Sequence, residues 1–192
     1  GCRWFPFQGD ALTVEKTGYQ GNCITMYNVR YSWCSPALNI YPYITQSGQY
    51  IVAMLIRVEF NGTASSPSLT LRGDSQNSFI QNHNTQFFTG IGGTQEKIVS
   101  GEWTAVSGTF TVTQGDLAGA HHWALCLGNL PEDTVSVSID GVSLVKDGNV
   151  QPPAGGEQQN NQNGQNELNS SMETGSKVIF NPLTWAAAIG TA

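Results

Sequence analysis

The chain has 192 residues, of which only 11% are charged, with eight Lys and Arg against fourteen Asp and Glu for a net charge of -6. The basic residues form no stripe, so this balance argues against nucleic acid and against an anionic membrane as partners, whereas a neutral glycan would feel no repulsion. No apolar run approaches the roughly 20 residues of a membrane-spanning helix, nothing at Gly1 reads as a signal peptide, and the abundance of Gly with Ser, Thr, Asn and Gln suits an all-β extracellular module better than a helical cytoplasmic enzyme.

In chain order, strands are expected at Ala11 to Glu15, Asn22 to Asn28, Trp33 to Ile40, Gln49 to Phe60 and Ser68 to Arg72. Ser78 to Ile80, Gln86 to Gly90, Trp103 to Val112, His122 to Leu127 and Thr134 to Val145 follow, with turn residues between them. In the fourth, Tyr50, Val52, Met54, Ile56, Val58 and Phe60 share one parity while Ile51, Ala53 and Leu55 share the other, the pattern of a central strand. Val106, Phe110 and Val112 alternate with Thr109, Thr111 and Thr113, which is half-buried strand chemistry. Val135, Val137 and Ile139 alternate with Thr134, Ser136 and Ser138, and the parity then switches to Val142 and Leu144. That switch predicts a bulge or sharp bend at Asp140-Gly141. No helical period competes, so the expected fold is an all-β sandwich of two antiparallel sheets.

Composition divides the chain into three parts. Residues 1–148 can bury a substantial core and form one module. Residues 149–168, rich in Gln, Asn, Gly and Pro, read as a linker. Residues 169–192 read as the start of a second, similar module, because Trp185, Gly190 and Ala192 repeat the spacing of Trp4, Gly9 and Ala11. The first module then lacks its own opening strand, and the C-terminal segment is expected to fill the sheet edge so left, within the chain or between chains. Cys2, Cys23, Cys34 and Cys126 allow three fully paired connectivities and no CxxC zinc spacing. One or two disulfides in an exported protein are compatible with this set, as is a reduced, buried Cys126.

Trp4 to Gly9, Tyr19-Gln20-Gly21, Asn28 with Trp33, Gly48-x-Tyr50, Gly101-x-Trp103 and Ile139-Asp140, in that order, cover nearly all of residues 1–148. The set resembles the carbohydrate-binding modules grouped around families 4, 9 and 22, and looks most like family 22. The resemblance implies a jelly roll, glycan binding without catalysis, and often a structural calcium. Trp33 matches the position of a stacking tryptophan, whose flat face would meet the axial C–H groups of a sugar. Phe79 is the approximate match to a second stacking aromatic, with Phe87 and Phe88 as competitors for that role. Gln8 falls where xylan binders can carry arginine, and still offers both a donor and an acceptor.

An acidic contact of the family falls near Asn129. The parity of Trp123, Leu125 and Leu127 offers a different reading, in which Asn129 is a loop residue and Ala124, Cys126 and Gly128 face the cleft. By the same resemblance Asp140 is a calcium ligand, together with a backbone carbonyl of the turn at Gln20 and an acidic residue of the opening strand, a part that Glu173 could take only by docking back. Calcium asks for six to eight oxygens. Without the resemblance, Asp140 is a turn residue capping the bulge.

Arg72-Gly73-Asp74 spells an integrin tripeptide, but a tight turn explains it, and adjacent His121 and His122 would point to opposite faces of a strand. Asn61-Gly62-Thr63 and Asn169-Ser170-Ser171 fit glycosylation sequons. Glycoside hydrolysis usually needs two carboxylates across a cleft, and the acidic residues form no such recognisable motif. The sequence therefore leads to a secreted, non-catalytic module that binds xylan or a β-glucan and is covalently linked to a glycoside hydrolase or further binding modules. Its rival is a structural or adhesive sandwich without glycan binding.

Overall fold

The computed structural model describes residues 3–74, 85–119, 122–146 and 177–179. Among them the period-two alternations become strands β1 (Arg3–Phe7), β2 (Leu12–Gly18), β3 (Gly21–Tyr27), β4 (Ser35–Asn39), β5 (Gly48–Phe60) and β6 (Ser68–Asp74). They continue as β7 (Thr85–Gly93), β8 (Trp103–Val112), β9 (His122–Gly128), β10 (Thr134–Lys146) and β11 (Lys177–Ile179). One sheet has the order β1-β4-β9-β6-β7 and the other β2-β3-β10-β5-β8, with β11 added along β10. Every pairing among the described strands is antiparallel. The molecule is thus the two-sheet antiparallel sandwich that the alternation predicts, a jelly roll as the resemblance implies.

The core lies between the sheets. Leu38, Leu69, Leu71, Trp123, Leu125 and Leu127 project from the first sheet, and Ile24, Val52, Met54, Ile56, Val106, Val137 and Ile139 from the second. Side chains of opposite parity on the first sheet make a separate cluster, Phe7, Ala37, Ala124 and Cys126, on its other face. Trp123, Leu125 and Leu127 are therefore the core parity of β9, and Ala124 and Cys126 face away from the core. Sequence left this choice open.

Four local features depart from simple alternation or from what the sequence led to expect. Val135 keeps 47% exposure although Val137 and Ile139 are buried, because the β5–β10 register shifts between Thr134 and Ser136 and breaks the parity there. The bulge expected at Asp140-Gly141 is present as a second shift between Asp140 and Ser143, with Gly141 at φ +58°. Arg72-Gly73-Asp74 lies inside β6, paired on both sides, and not in the tight turn that sequence suggested. A short helix, α1 (Gln114–Gly119), was not expected; Thr113 caps it, its hydroxyl accepting from the Asp116 N–H while the Asp116 carboxylate accepts from the Thr113 N–H. Ser78 to Ile80 lies outside the described residues.

The two sheets meet backbone to backbone where the edge strands β7 and β8 pass. A Cβ on Gly108 would stand 2.1 Å from the Ile91 carbonyl oxygen, and one on Gly92 would stand 2.2 Å from that of Ser107. Neither obstacle is a side-chain tip that could swing aside. Gly108→Ala is expected to destabilise the fold by about 1–3 kcal/mol, the usual range for overpacking, measured as a lower urea midpoint at unchanged slope.

Cys23, Cys34 and Cys126 are buried free thiols, so no disulfide joins the described cysteines. Burial pushes the Cys126 thiol from an ordinary 9.0 up to about 12, and its Sγ–H points at the Thr70 carbonyl, 3.6 Å away. The thiolate is the reactive form. Iodoacetamide at pH 8 should therefore leave Cys126 unmodified in the native chain and label it on unfolding, as read by peptide mass. Its folded value is raised, so the stability it contributes is intact below about pH 9 and declines as pH climbs toward 12.

Candidate functional site

Trp33 leaves strand geometry just before β4 and sits in the turn that delivers it. Sequence placed it at the start of the strand itself, but β4 begins at Ser35. Freed from the ladder, the indole keeps 43% of its surface in water. Its Nε1–H donates to Gln8 Oε1 at 2.9 Å, and Tyr31 stacks on one of its faces with centroids 4.9 Å apart and planes 3° from parallel. Tyr31 is itself 54% exposed. The two rings form a solvent-facing aromatic slab, of which sequence reasoning identified only one half; the signal available was the Tyr-x-Trp spacing in a polar turn.

The slab is braced from below. Gln8 follows β1 directly, and the β1–β4 ladder ends with Phe7 opposite Ser35. Gln8 adopts φ 52°, a left-handed conformation uncommon for a side chain of its kind. That bend brings its carbonyl to the Cys34 Sγ–H at 3.1 Å while its side chain reaches Trp33. Two residues on, Asp10 accepts from Asn28 Nδ2 at 3.1 Å and pairs with Arg30 at 3.8 Å. The loop after β1 and the loop before β4 are thus joined by side chains at several points, which fixes where the aromatic slab stands.

Beside the slab lies a groove of about 380 Å³. Tyr31 and Trp33 contribute its aromatic part, and Arg30, Ser32, Glu132 and Asp133 supply charged and hydroxyl groups. Glu132 and Asp133 belong to the turn before β10, where Asp133 has φ 51°. The backbone joins this turn region to the aromatic loop, since the Leu130 N–H donates to the Ser32 carbonyl at 2.9 Å. A face for C–H groups and a rim of acceptors and donors stand together here, which suits a polyhydroxylated ring. The two carboxylates are chain neighbours in one turn.

The remaining expected site residues fall elsewhere. Asn129 follows β9 directly, with φ 53°, and its amide donates to the Ser66 carbonyl at 2.8 Å. It is a loop residue, as the parity reading proposed, and its side chain is committed to the neighbouring loop. Phe79 lies outside the described residues, and of Phe87 and Phe88 only the register is described, opposite Gly73 and Arg72. The outer face of the first sheet has Ala37, Ala124 and Cys126 as a small-residue floor with Phe7, and the Arg72 guanidinium carbon lies 4.2 Å from the Phe7 ring centroid.

Asp140 and Gln20 do come together. The buried carboxylate accepts from the Gln20 N–H through Oδ2 at 3.0 Å and from the Gly141 N–H through Oδ1 at 2.7 Å. What Gln20 directs at it is a donor, whereas a cation would need oxygens. No group of three or more His, Cys, Asp or Glu suited to a metal occurs among the described residues, and Glu173 lies outside them. The described residues alone do not compose a calcium site. They form a hydrogen-bonded buckle between the β2–β3 turn and the β10 bulge.

No family model and no curated protein matches the chain. Solved structures do. The CBM22-2 xylan-binding domain of Paenibacillus barcinonensis Xyn10C superposes with a TM-score of 0.62 at 12% identity, over 74% of this chain and 91% of that one. The fold is that of a family 22 carbohydrate-binding module. The CBM22-1 xylan-binding domain of the same enzyme gives 0.56 at 13% identity, over 73% and 83%. The CBM22-1–GH10 modules of Clostridium thermocellum Xyn10B, complexed with xylohexaose, give 0.57 at 18% identity, over 76% of this chain and 26% of that larger one. At such identities the likeness speaks for the fold alone.

Proposed function

We propose that this chain is a non-catalytic carbohydrate-binding module that holds plant cell-wall polysaccharide, xylan or a β-glucan, through the Trp33–Tyr31 slab. The observation that carries the reading is the stacked, exposed pair standing on a groove rimmed by Glu132, Asp133 and Ser32. A pyranose stacks its C–H face on the indole while rim carboxylates accept from its hydroxyls. Gln8 acts through Trp33 by holding the indole N–H, so it is a positioning residue. The module is secreted and linked to a polysaccharide-degrading enzyme or to further binding modules, a setting consistent with the family 22 solved structures, one of which is joined to GH10.

Single sites of this type bind in the micromolar to millimolar range, about -8 to -4 kcal/mol. Affinity electrophoresis of the full chain against xylan, β-glucan, mannan and xyloglucan tests the reading. Retardation by xylan or β-glucan is expected, and folded protein that ignores every glycan would hand the assignment to a structural or adhesive sandwich. Gln8→Leu should weaken retardation severalfold while the fold persists, because the indole loses its tether and keeps its ring. Equal retardation of this variant and the parent would remove Gln8 from the site.

A further inference from the structure

The edge of β10 is shared by two different strands. Along its first half, β3 pairs with Ser136 to Ile139. Beyond the bulge, β11 takes over the same sheet, with Ser143 opposite Ile179, Leu144 opposite Val178 and Val145 opposite Lys177. On the other side β5 follows β10 through both halves, to Lys146 opposite Tyr50. The bulge at Asp140 and Gly141 ends the β3 pairing, so the second half of the edge presents its own unpaired row of backbone donors and acceptors to whatever strand arrives.

What arrives is short and distant in sequence. β11 pairs over three positions and joins β10 through a tether of about 30 residues between Lys146 and Lys177, a length for which closing the loop sets an effective concentration on the order of millimolar. The backbone bonds along Ser143 to Val145 are the same whichever chain supplies the strand, so only the tether favours the chain's own segment. We propose that Ser143–Val145 is a strand-acceptor site, and that Lys177–Ile179 is an exchangeable occupant which the same segment of a second copy replaces when chains are concentrated. The interaction is β-augmentation between copies, and it is independent of glycan binding.

The full chain carrying Ser143→Cys and Ile179→Cys tests this. The two positions are directly opposed, and antiparallel partners have Cα atoms about 4.5–5.5 Å apart, inside the range a disulfide spans. Equal amounts of ¹⁴N- and ¹⁵N-labelled protein are mixed, oxidised at about 10 µM and at about 1 mM, and digested, and the linked peptides are weighed. The expected result is same-label linkage at the lower concentration and a mixed-label fraction at least tenfold higher at the upper one, about the concentration at which the tether loses its advantage.

Linkage that stays within one label at both concentrations would show a permanent occupant and overturn the exchange. Linkage absent at both would overturn the acceptor site itself. Val145→Cys with Lys177→Cys repeats the test at the other end of the same register, so a single variant that folds poorly does not decide the matter.

Discussion

Replacing Trp33 by Ala is expected to abolish retardation of the chain on its glycan, a loss of at least tenfold in affinity, equivalent to about 1.4 kcal/mol. The ring is 43% exposed, so little of the core depends on it. Its loss also strips Tyr31 of its stacking partner, and the groove then keeps one unsupported ring in place of a slab. Urea unfolding of the variant should stay within about 1 kcal/mol of the parent, as expected for an exposed side chain. Tyr19→Ala is the matched control, because Tyr19 is 59% exposed but makes its edge contact with Trp103 on the other sheet. If both variants lose retardation equally, general aromatic stickiness explains the binding and the Trp33 groove does not.

Asp140→Ala is the variant expected to cost most in stability. The carboxylate is 1% exposed and satisfies two backbone donors, Gln20 N–H and Gly141 N–H. Removing it leaves both without their acceptor, at about 1–3 kcal/mol for each that stays out of water, so a loss of about 2–4 kcal/mol should appear in the urea midpoint. Asp140→Asn keeps one carbonyl oxygen and should lose about half as much. The same variants separate the buckle from a cation site. For a buckle, adding calcium chloride to chelator-treated parent protein leaves Tm where it was, whereas a rise of several degrees that vanishes in Asp140→Asn would assign the carboxylate to calcium.

The sequence was informative where side chains alternate and less so where the backbone slips. β5 announces itself because its apolar parity runs unbroken, β8 because Val106, Phe110 and Val112 keep one parity, and the Asp140-Gly141 bulge because the parity changes across it. Val135 misleads for the same reason, since the register shift before Ser136 turns a valine of the apparent core parity outward. Arg72-Gly73-Asp74 looked like a turn because Gly and Asp favour turns locally, yet pairing to β7 and β9 overrides that preference. The short pairing of Lys177–Ile179 with β10 follows a long-range register that local patterning can suggest and cannot align.

For the candidate site, Trp33 and Gln8 came from the resemblance, and the structure joins them by a hydrogen bond. Tyr31, Glu132 and Asp133 were not singled out as ligand contacts, because the groove is assembled from two turns about a hundred positions apart and no spacing rule connects them. Asn129 illustrates the opposite difficulty. Its residue type suits a sugar contact, but its left-handed backbone aims the amide at Ser66.

The stacking of Tyr31 on Trp33 also bears on which polymers the module would tolerate. One face of the indole is already occupied by protein, so a glycan can lie only against the outward side of the slab. A chain held this way is touched along one flank, and its opposite flank remains in solvent. Branches and ester groups projecting from that solvent flank would meet no protein, so decoration confined to it should leave retention unchanged, whereas substituents on the stacked face or on hydroxyls at the Glu132–Asp133 rim should reduce it.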